Sequence, residues 1–232
     1  MFSWVFFFTA TSLSFLATIM GLKEHQIFHL VLLATIVYGF IGIRFPSNLV
    51  WMLSLMSLAT WFGYITGYLS NWSQYFFGLN YPFRYVFFGL MLIAVRFTIF
   101  QKDAFKEIRK STYVFELLFV FLGLWTLSIN GNHTDMDLWM KTKQVYLLGW
   151  AIFFGVSALI TLLIGIKYDD SIARAFGIVF FFINLYTRLV EYVWGKIPEA
   201  IFYLILALTF WLIGKNAEKI WNLEFTTKKH IE

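Results

Sequence analysis

Long apolar runs separated by short polar connections dominate the sequence. Each run is about 20 residues long, which is the length an α-helix needs to cross the roughly 30 Å hydrocarbon layer of a bilayer. Eight such runs lie at about 3–21, 26–43, 49–70, 82–100, 112–129, 145–166, 175–194 and 198–214. The pattern predicts an all-α, polytopic transmembrane helical bundle of about eight spans.

The connections between the runs leave no room for a separate soluble domain. Only 101–111 and 130–144 are longer than a tight turn. We therefore expect one transmembrane helical domain over 1–214, followed by a short basic tail at 215–232. The first run has no basic segment before it and no small-x-small cleavage site, which favours a retained span over a cleaved signal peptide.

Composition supports a membrane protein and excludes several chemistries. The chain has 60% hydrophobic, 22% aromatic and 13% charged residues, whereas soluble domains are about 25% charged. It contains no cysteine, so disulfides, thiolate catalysis and cysteine-ligated metals are excluded. No lysine lies in the middle of a run, which removes the anchor for a retinal Schiff base.

The distribution of positive charge predicts the orientation. The net charge of +5 is spread over short connections rather than concentrated in one patch, so nucleic acid is not an expected partner. With eight spans, eleven Lys and Arg residues fall on one side of the membrane and five on the other. Because the cytoplasmic side carries the excess of basic residues, both termini are predicted to be cytoplasmic.

The seventh run carries three polar residues on one helical face. Asn184, Arg188 and Glu191 have i, i+4 and i+7 spacing, so they stack along one side of the helix. Ionisable groups within a membrane are costly unless they pair or face a polar interior. A simple ion pair between Arg188 and Glu191 within their own helix is the alternative explanation.

Other polar groups are predicted to share the outer half of the membrane with this face. They are His29 of the second run and Tyr64 and Tyr68 of the third. Together with the polar face they form a candidate binding site, in which the Arg188 fork would suit a carboxylate or phosphate. The two tyrosines also fit an ordinary aromatic belt at the membrane interface. Nearby, Gly63 and Gly67 at i, i+4 predict a surface that another helix can approach closely.

One ion pair is predicted at the cytoplasmic side. Arg96 lies near the end of the fourth run and Glu116 near the start of the fifth, on consecutive antiparallel helices. A buried pair of this kind usually joins two helices, and a proton relay is the alternative.

A histidine and carboxylate cluster is the weakest functional signal. His25 and His29 have helical i, i+4 spacing, and His133, Asp135 and Asp137 lie in an outer connection. The histidines lack a third ligand nearby in sequence, and the connection is equally well explained as a solvated turn. We therefore predict no metal site and no cofactor.

The last fifth of the chain resembles the bacterial membrane-protein family DUF2157. The similarity lies in NLYTRLVEYVW, where Tyr186, Arg188, Glu191 and Trp194 match the family pattern, followed by an aromatic run and the charged end GKNAEK. The resemblance implies a multispan bundle in a bacterial inner membrane. It supplies no activity.

Three functional hypotheses follow from the sequence. The first is a non-enzymatic membrane protein that binds or transports a small anionic or lipid-like molecule through the outer-half polar site. The second is an assembly or scaffold subunit of a membrane complex, with membrane lipids and a membrane protein as partners. The third is an intramembrane metal-dependent hydrolase that uses the histidine and carboxylate cluster.

Overall fold

The described part of the chain is helical. The computed structural model describes residues 19, 21, 27–98, 105–142 and 144–216. In these residues there are eight helices and no extended strand. The helices are α1 (Ile27–Arg44), α2 (Asn48–Leu69), α3 (Tyr81–Thr98), α4 (Lys106–Asn130), α5 (Met136–Lys141), α6 (Gln144–Lys167), α7 (Ser171–Val193) and α8 (Glu199–Lys215).

The helices follow the apolar runs, except that α4 begins at Lys106, inside the predicted connection 101–111. Seven of the eight predicted runs overlap a helix, and almost all of the first run, together with most of the basic tail, lies outside the described residues. Among the described helices, α2, α4, α6 and α7 are long and apolar enough to cross a membrane. The short helix α5 interrupts the connection that the sequence predicted as a turn, and the Asp135 side chain caps it by accepting from the Asp137 backbone N–H.

The chain divides into two compact units, and the boundary falls within α4. The first unit contains residues 1–123 and 132–134, and the second contains 124–131 and 135–232. In the first unit a buried cluster joins α2, α3 and α4, with Trp51, Leu55 and Phe88 at its centre. In the second unit α6 packs against α7, where Phe154 and Phe180 meet edge to face.

Glycine permits backbone contact between neighbouring helices. A Cβ added at Gly89 of α3 would lie 2.9 Å from the Glu116 carbonyl oxygen of α4. A Cβ at Gly123 of α4 would lie 2.8 Å from the Pro82 carbonyl oxygen of α3. Both distances are too short for a real side chain, so α3 and α4 come closer than any larger residue would permit.

Candidate functional site

The polar face of α7 points into the second unit. Asn184 is 8% exposed, and the Arg188 and Glu191 side chains are 15% and 11% exposed. All three are thus shielded within the second unit, as the sequence predicted from the cost of a charged stripe against acyl chains. Their burial depends on partners from α4 and α6 that the spacing within α7 does not identify.

Arg188 is held by groups on two helices. Its Nη2 donates to the Ser128 carbonyl oxygen at 3.0 Å and to the Ser128 hydroxyl at 3.3 Å. The same nitrogen donates to Glu191 Oε1 at 3.0 Å, while Nη1 lies 2.5 Å from Glu191 Oε2. The intrahelical pair is therefore present, and the guanidinium also joins α7 to the end of α4. Its charge is balanced internally by Glu191.

Asn184 joins α7 to α6. Its Nδ2 donates to the Ala151 carbonyl oxygen at 3.1 Å. A Cβ added at Gly155 would lie 2.6 Å from the same Nδ2, so glycine at this position makes room for the amide. Because an amide inside an apolar hairpin needs such a partner, Asn184 supports a defined register between α6 and α7.

An open apolar groove lies beside this polar face, within the second unit. It has a volume of about 830 Å³ and is lined by α7, α8 and the last turns of α4. Most of its lining is aliphatic or phenyl, including Ile178, Phe182, Ile183 and Phe210. A groove of this size is typical of a site for a small organic ligand.

The polar groups along the groove already have partners. The Trp125 indole N–H donates to the Thr187 hydroxyl at 3.0 Å, and that hydroxyl donates to the Ile183 carbonyl oxygen at 2.7 Å. Tyr186 donates to the Thr209 hydroxyl at 3.1 Å. The ionised group that lines the groove is Glu191, which is paired with Arg188. The groove is therefore apolar along its length and carries an internally balanced ion pair on its wall.

The sequence did not identify three residues that contact the polar face or line the groove. They are Ser128, Trp125 and Thr187. Trp125 and Ser128 are three residues apart near the end of an apolar run, so they share a helical face with each other. The spacing of Trp125 and Ser128 is the sequence signal that could have identified them as a pair. Their pairing with α7 depends on how α4 packs, which the spacing does not specify.

His29, Tyr64 and Tyr68 lie in the first unit. His29 is exposed and its ring lies 4.0 Å from that of Phe28, which in turn lies 5.5 Å from that of Tyr68. Tyr64 packs edge to face against Trp72. That these three residues neighbour Asn184, Arg188 and Glu191 stays a prediction, since the two groups belong to different units.

Arg96 and Glu116 are in contact, within the first unit. Arg96 Nε lies 2.6 Å from Glu116 Oε1, and Glu116 is fully buried while the Arg96 side chain is 17% exposed. The guanidinium also lies 4.4 Å from the ring centre of Tyr113. The ion pair, its hydrogen bond and the cation–π contact together hold α3 against α4.

Arg84 is one of the five basic residues that the sequence assigned to the outer side of the membrane, and it is buried rather than solvated. It lies inside α3 and is one of the most completely buried residues of the described chain. Its Nε donates to the Leu79 carbonyl oxygen at 3.0 Å and its Nη2 to the Gln74 carbonyl oxygen at 3.2 Å. The guanidinium lies 4.3 Å from the centre of the Tyr81 ring. Arg84 thus organises the connection between α2 and α3 rather than facing solvent.

The residues proposed for a metal site do not form one in the described chain. No group of three His, Asp or Glu side chains in the described ranges is close enough to hold a metal ion. Asp135 instead caps α5, and His25 lies outside the described residues. The metal-dependent hydrolase therefore gains no support from His29, His133, Asp135 or Asp137.

Comparison with known proteins finds no matching family model, no matching curated protein and no matching solved structure. The resemblance to DUF2157 consequently stays a prediction. Function has to be inferred from the site itself.

Proposed function

We propose that this chain is an integral membrane protein that binds a lipid-like molecule in the groove formed by α4, α7 and α8. The observation that carries the proposal is an apolar groove of about 830 Å³ with an ion pair on its wall, and two of its three helices, α4 and α7, are long enough to cross a bilayer. An acyl or isoprenoid chain matches such a lining, because burying apolar surface there costs no polar contacts.

The internal balance of charge favours the lipid-like ligand over a small anion. Arg188 already contacts Glu191 and Ser128, and it is Glu191 that lines the groove. A small anion would approach a carboxylate and would compete with it for the guanidinium. A neutral or hydroxyl-bearing end of a long apolar molecule does not compete for the guanidinium, so the pair of Arg188 and Glu191 stays intact.

The remaining parts of the proposal concern the number of spans, their orientation and the membrane in which they lie. Eight spans with both termini in the cytoplasm are inferred from the apolar runs and the distribution of basic residues, and a bacterial inner membrane is what the resemblance to DUF2157 implies. The four long apolar helices support the membrane location in its general form.

The test is to measure lipid retained by the purified full chain. Ile183→Trp introduces a larger side chain into the groove, and Ile160→Trp on the exposed surface of α6 is the matched control. Lipid extraction and mass spectrometry should show a retained species with the wild type and the control, and its loss from Ile183→Trp. Equal retention by all three proteins would contradict the groove as the binding site.

A further inference from the structure

A second pocket, of about 260 Å³ and more open than the groove, lies within the first unit between α2 and the start of α3. No charged side chain lines it, and four of its six lining residues are aromatic. The lining consists of Thr60, Gly63, Tyr64, Trp72, Tyr81 and Tyr85. We call this cavity the aromatic box.

Two walls of the aromatic box come from α3 and rest on glycines of α2. A Cβ at Gly63 would lie 2.5 Å from the Tyr85 hydroxyl, and one at Gly67 would lie 2.9 Å from the Tyr81 hydroxyl. The glycine pair was expected to admit a helix backbone, but tyrosine side chains occupy the space. Tyr81 and Tyr85 are one helical turn apart, as are Gly63 and Gly67. The two contacts therefore place the tyrosine side chains one after the other along α2.

Trp72 forms a third wall through an unusual backbone conformation. Its φ is +58°, and that of the preceding Asn71 is +53°. Asn visits this left-handed region readily, but a residue as bulky as Trp does so rarely and at a cost. Its backbone N–H donates to the Gly67 carbonyl oxygen at 2.7 Å, which turns the chain back against α2. The indole then stands at 88° to the Tyr64 ring, with 6.0 Å between ring centres.

We propose that the aromatic box binds a quaternary ammonium group, such as the trimethylammonium of choline. Aromatic faces attract cations through their quadrupole, and several faces around one small space form the aromatic cage that recognises such groups. A primary ammonium would need hydrogen-bond acceptors to replace its hydration, whereas a quaternary ammonium has no N–H to satisfy. The lining holds no carboxylate with which a primary ammonium would pair, so its aromatic side chains favour the quaternary ion.

The walls do not contribute equally. Arg84 already lies 4.3 Å from the Tyr81 ring, so a second cation gains least from that residue. The Tyr85 ring already stacks on Phe119 with 5.9 Å between ring centres, so Tyr64 and Trp72 carry the recognition. The Tyr85 hydroxyl donates to the Ala59 carbonyl oxygen at 3.2 Å, which holds its ring in position.

The position of the aromatic box admits two sources of the same chemical group. Its lining extends from Thr60 in α2 to Trp72 beyond the end of that helix, which has 22 residues and is long enough to cross the bilayer, so the side of the box at Trp72 is expected near the lipid head groups. A choline head group of a lipid and free choline both present trimethylammonium. The inference is independent of the groove in the second unit, and failure of either proposal leaves the other intact.

The experiment compares choline with 3,3-dimethylbutanol, its uncharged isostere. The full chain is held in nanodiscs of phosphatidylglycerol, and binding is measured by calorimetry. Choline should bind about ten-fold more tightly than the isostere, because only the cation gains from the aromatic faces. For the lipid arm, nanodiscs containing phosphatidylcholine are used, and retained lipid is counted by native mass spectrometry. Binding in the first arm identifies a free cation, and preferential retention in the second identifies a lipid head group.

Variants connect the binding to the aromatic box. Tyr64→Leu should abolish the preference for trimethylammonium. Trp72→Phe should weaken that preference, because a phenylalanine ring attracts a cation less strongly than an indole does. Trp211→Leu, at an exposed tryptophan of α8, is the matched control and should leave it unchanged. Trp72→Phe keeps a ring in place, so it tests recognition even if Tyr64→Leu fails to fold. Equal binding of choline and its isostere, no binding in either arm, or a preference unaffected by Trp72→Phe would overturn the proposal.

Discussion

At the scale of single residues, the ion pair of Arg96 and Glu116 has two unequal partners. Glu116 is fully buried, whereas Arg96 retains some exposure and can move its head group towards the membrane interface. Arg96→Ala leaves a buried carboxylate without a cation and should lower the unfolding free energy by about 3 kcal/mol. Glu116→Ala leaves a cation that can reach water, so its loss should be smaller. Thermal unfolding in detergent measures both values.

The pair of Arg174 with the exposed Asp169 is the control for that prediction, since its carboxylate is not buried. Asp169 is 95% exposed, so Asp169→Ala should change stability by about 0–1 kcal/mol. If Arg96→Ala and Glu116→Ala lower stability equally, or by as little as this control does, burial does not determine the energetics of the pair.

Arg188 offers a second prediction at the same scale. Its Nη2 reaches Ser128 and Glu191 together, and a lysine ammonium lacks the planar fork that holds both. Arg188→Lys should therefore keep the charge but lower stability by about 1–2 kcal/mol, through the lost contact with α4. Lipid retention should fall as well, because α4 forms part of the groove wall.

Ser128→Ala separates the two contributions of Arg188. It removes the serine hydroxyl but keeps the carbonyl oxygen, so its effect on stability should be smaller than that of Arg188→Lys. If the Arg188→Lys variant is as stable as the wild type, the contact of Arg188 with α4 contributes little to stability.

At the scale of helices, the packing of α3 on α4 depends on glycine. A Cβ at Gly89 would lie 2.9 Å from backbone atoms of Glu116 and Val120, which cannot move away as a flexible side chain does. Gly89→Ala should thus destabilise the protein by about 1–3 kcal/mol through overpacking. Gly214→Ala in α8 is the matched control, since no atom lies within 4 Å of its added Cβ.

The two substitutions should differ in sign. Alanine is the better helix former by about 1 kcal/mol, so Gly214→Ala should be neutral or stabilising. Thermal unfolding of both variants decides the matter, and a stabilising Gly89→Ala would be incompatible with backbone contact between α3 and α4.

At the scale of the whole molecule, the orientation in the membrane can be tested directly because the chain has no cysteine. Glu107 and His133 are exposed and lie near opposite ends of α4. If both termini are cytoplasmic, an impermeant maleimide added to intact cells should label His133→Cys and not Glu107→Cys. Permeabilised cells provide the control, in which both should react. The reverse pattern would invert the proposed orientation.

The sequence by itself determined where the helices lie and which residues share a face. Apolar runs set the helix positions because backbone hydrogen bonds in a helix are local, and a span has to cover the bilayer with apolar side chains. The i, i+4 and i+7 spacing placed Asn184, Arg188 and Glu191 together for the same reason. The contact of Arg96 with Glu116 was also predictable, since a short connection makes consecutive helices antiparallel neighbours.

Only the tertiary structure decided which faces meet. The contact of Ser128 with Arg188, and the room that Gly155 provides for Asn184, depend on the rotation and depth at which α7 packs against α4 and α6. No local pattern specifies those quantities, because in a bilayer nearly every face of these helices is apolar. The same holds for Arg84, which the count of basic residues assigned to the outer side and which its contacts with the α2–α3 connection bury. The groove and the aromatic box exist only where such faces leave space, and space between helices has no signature in sequence.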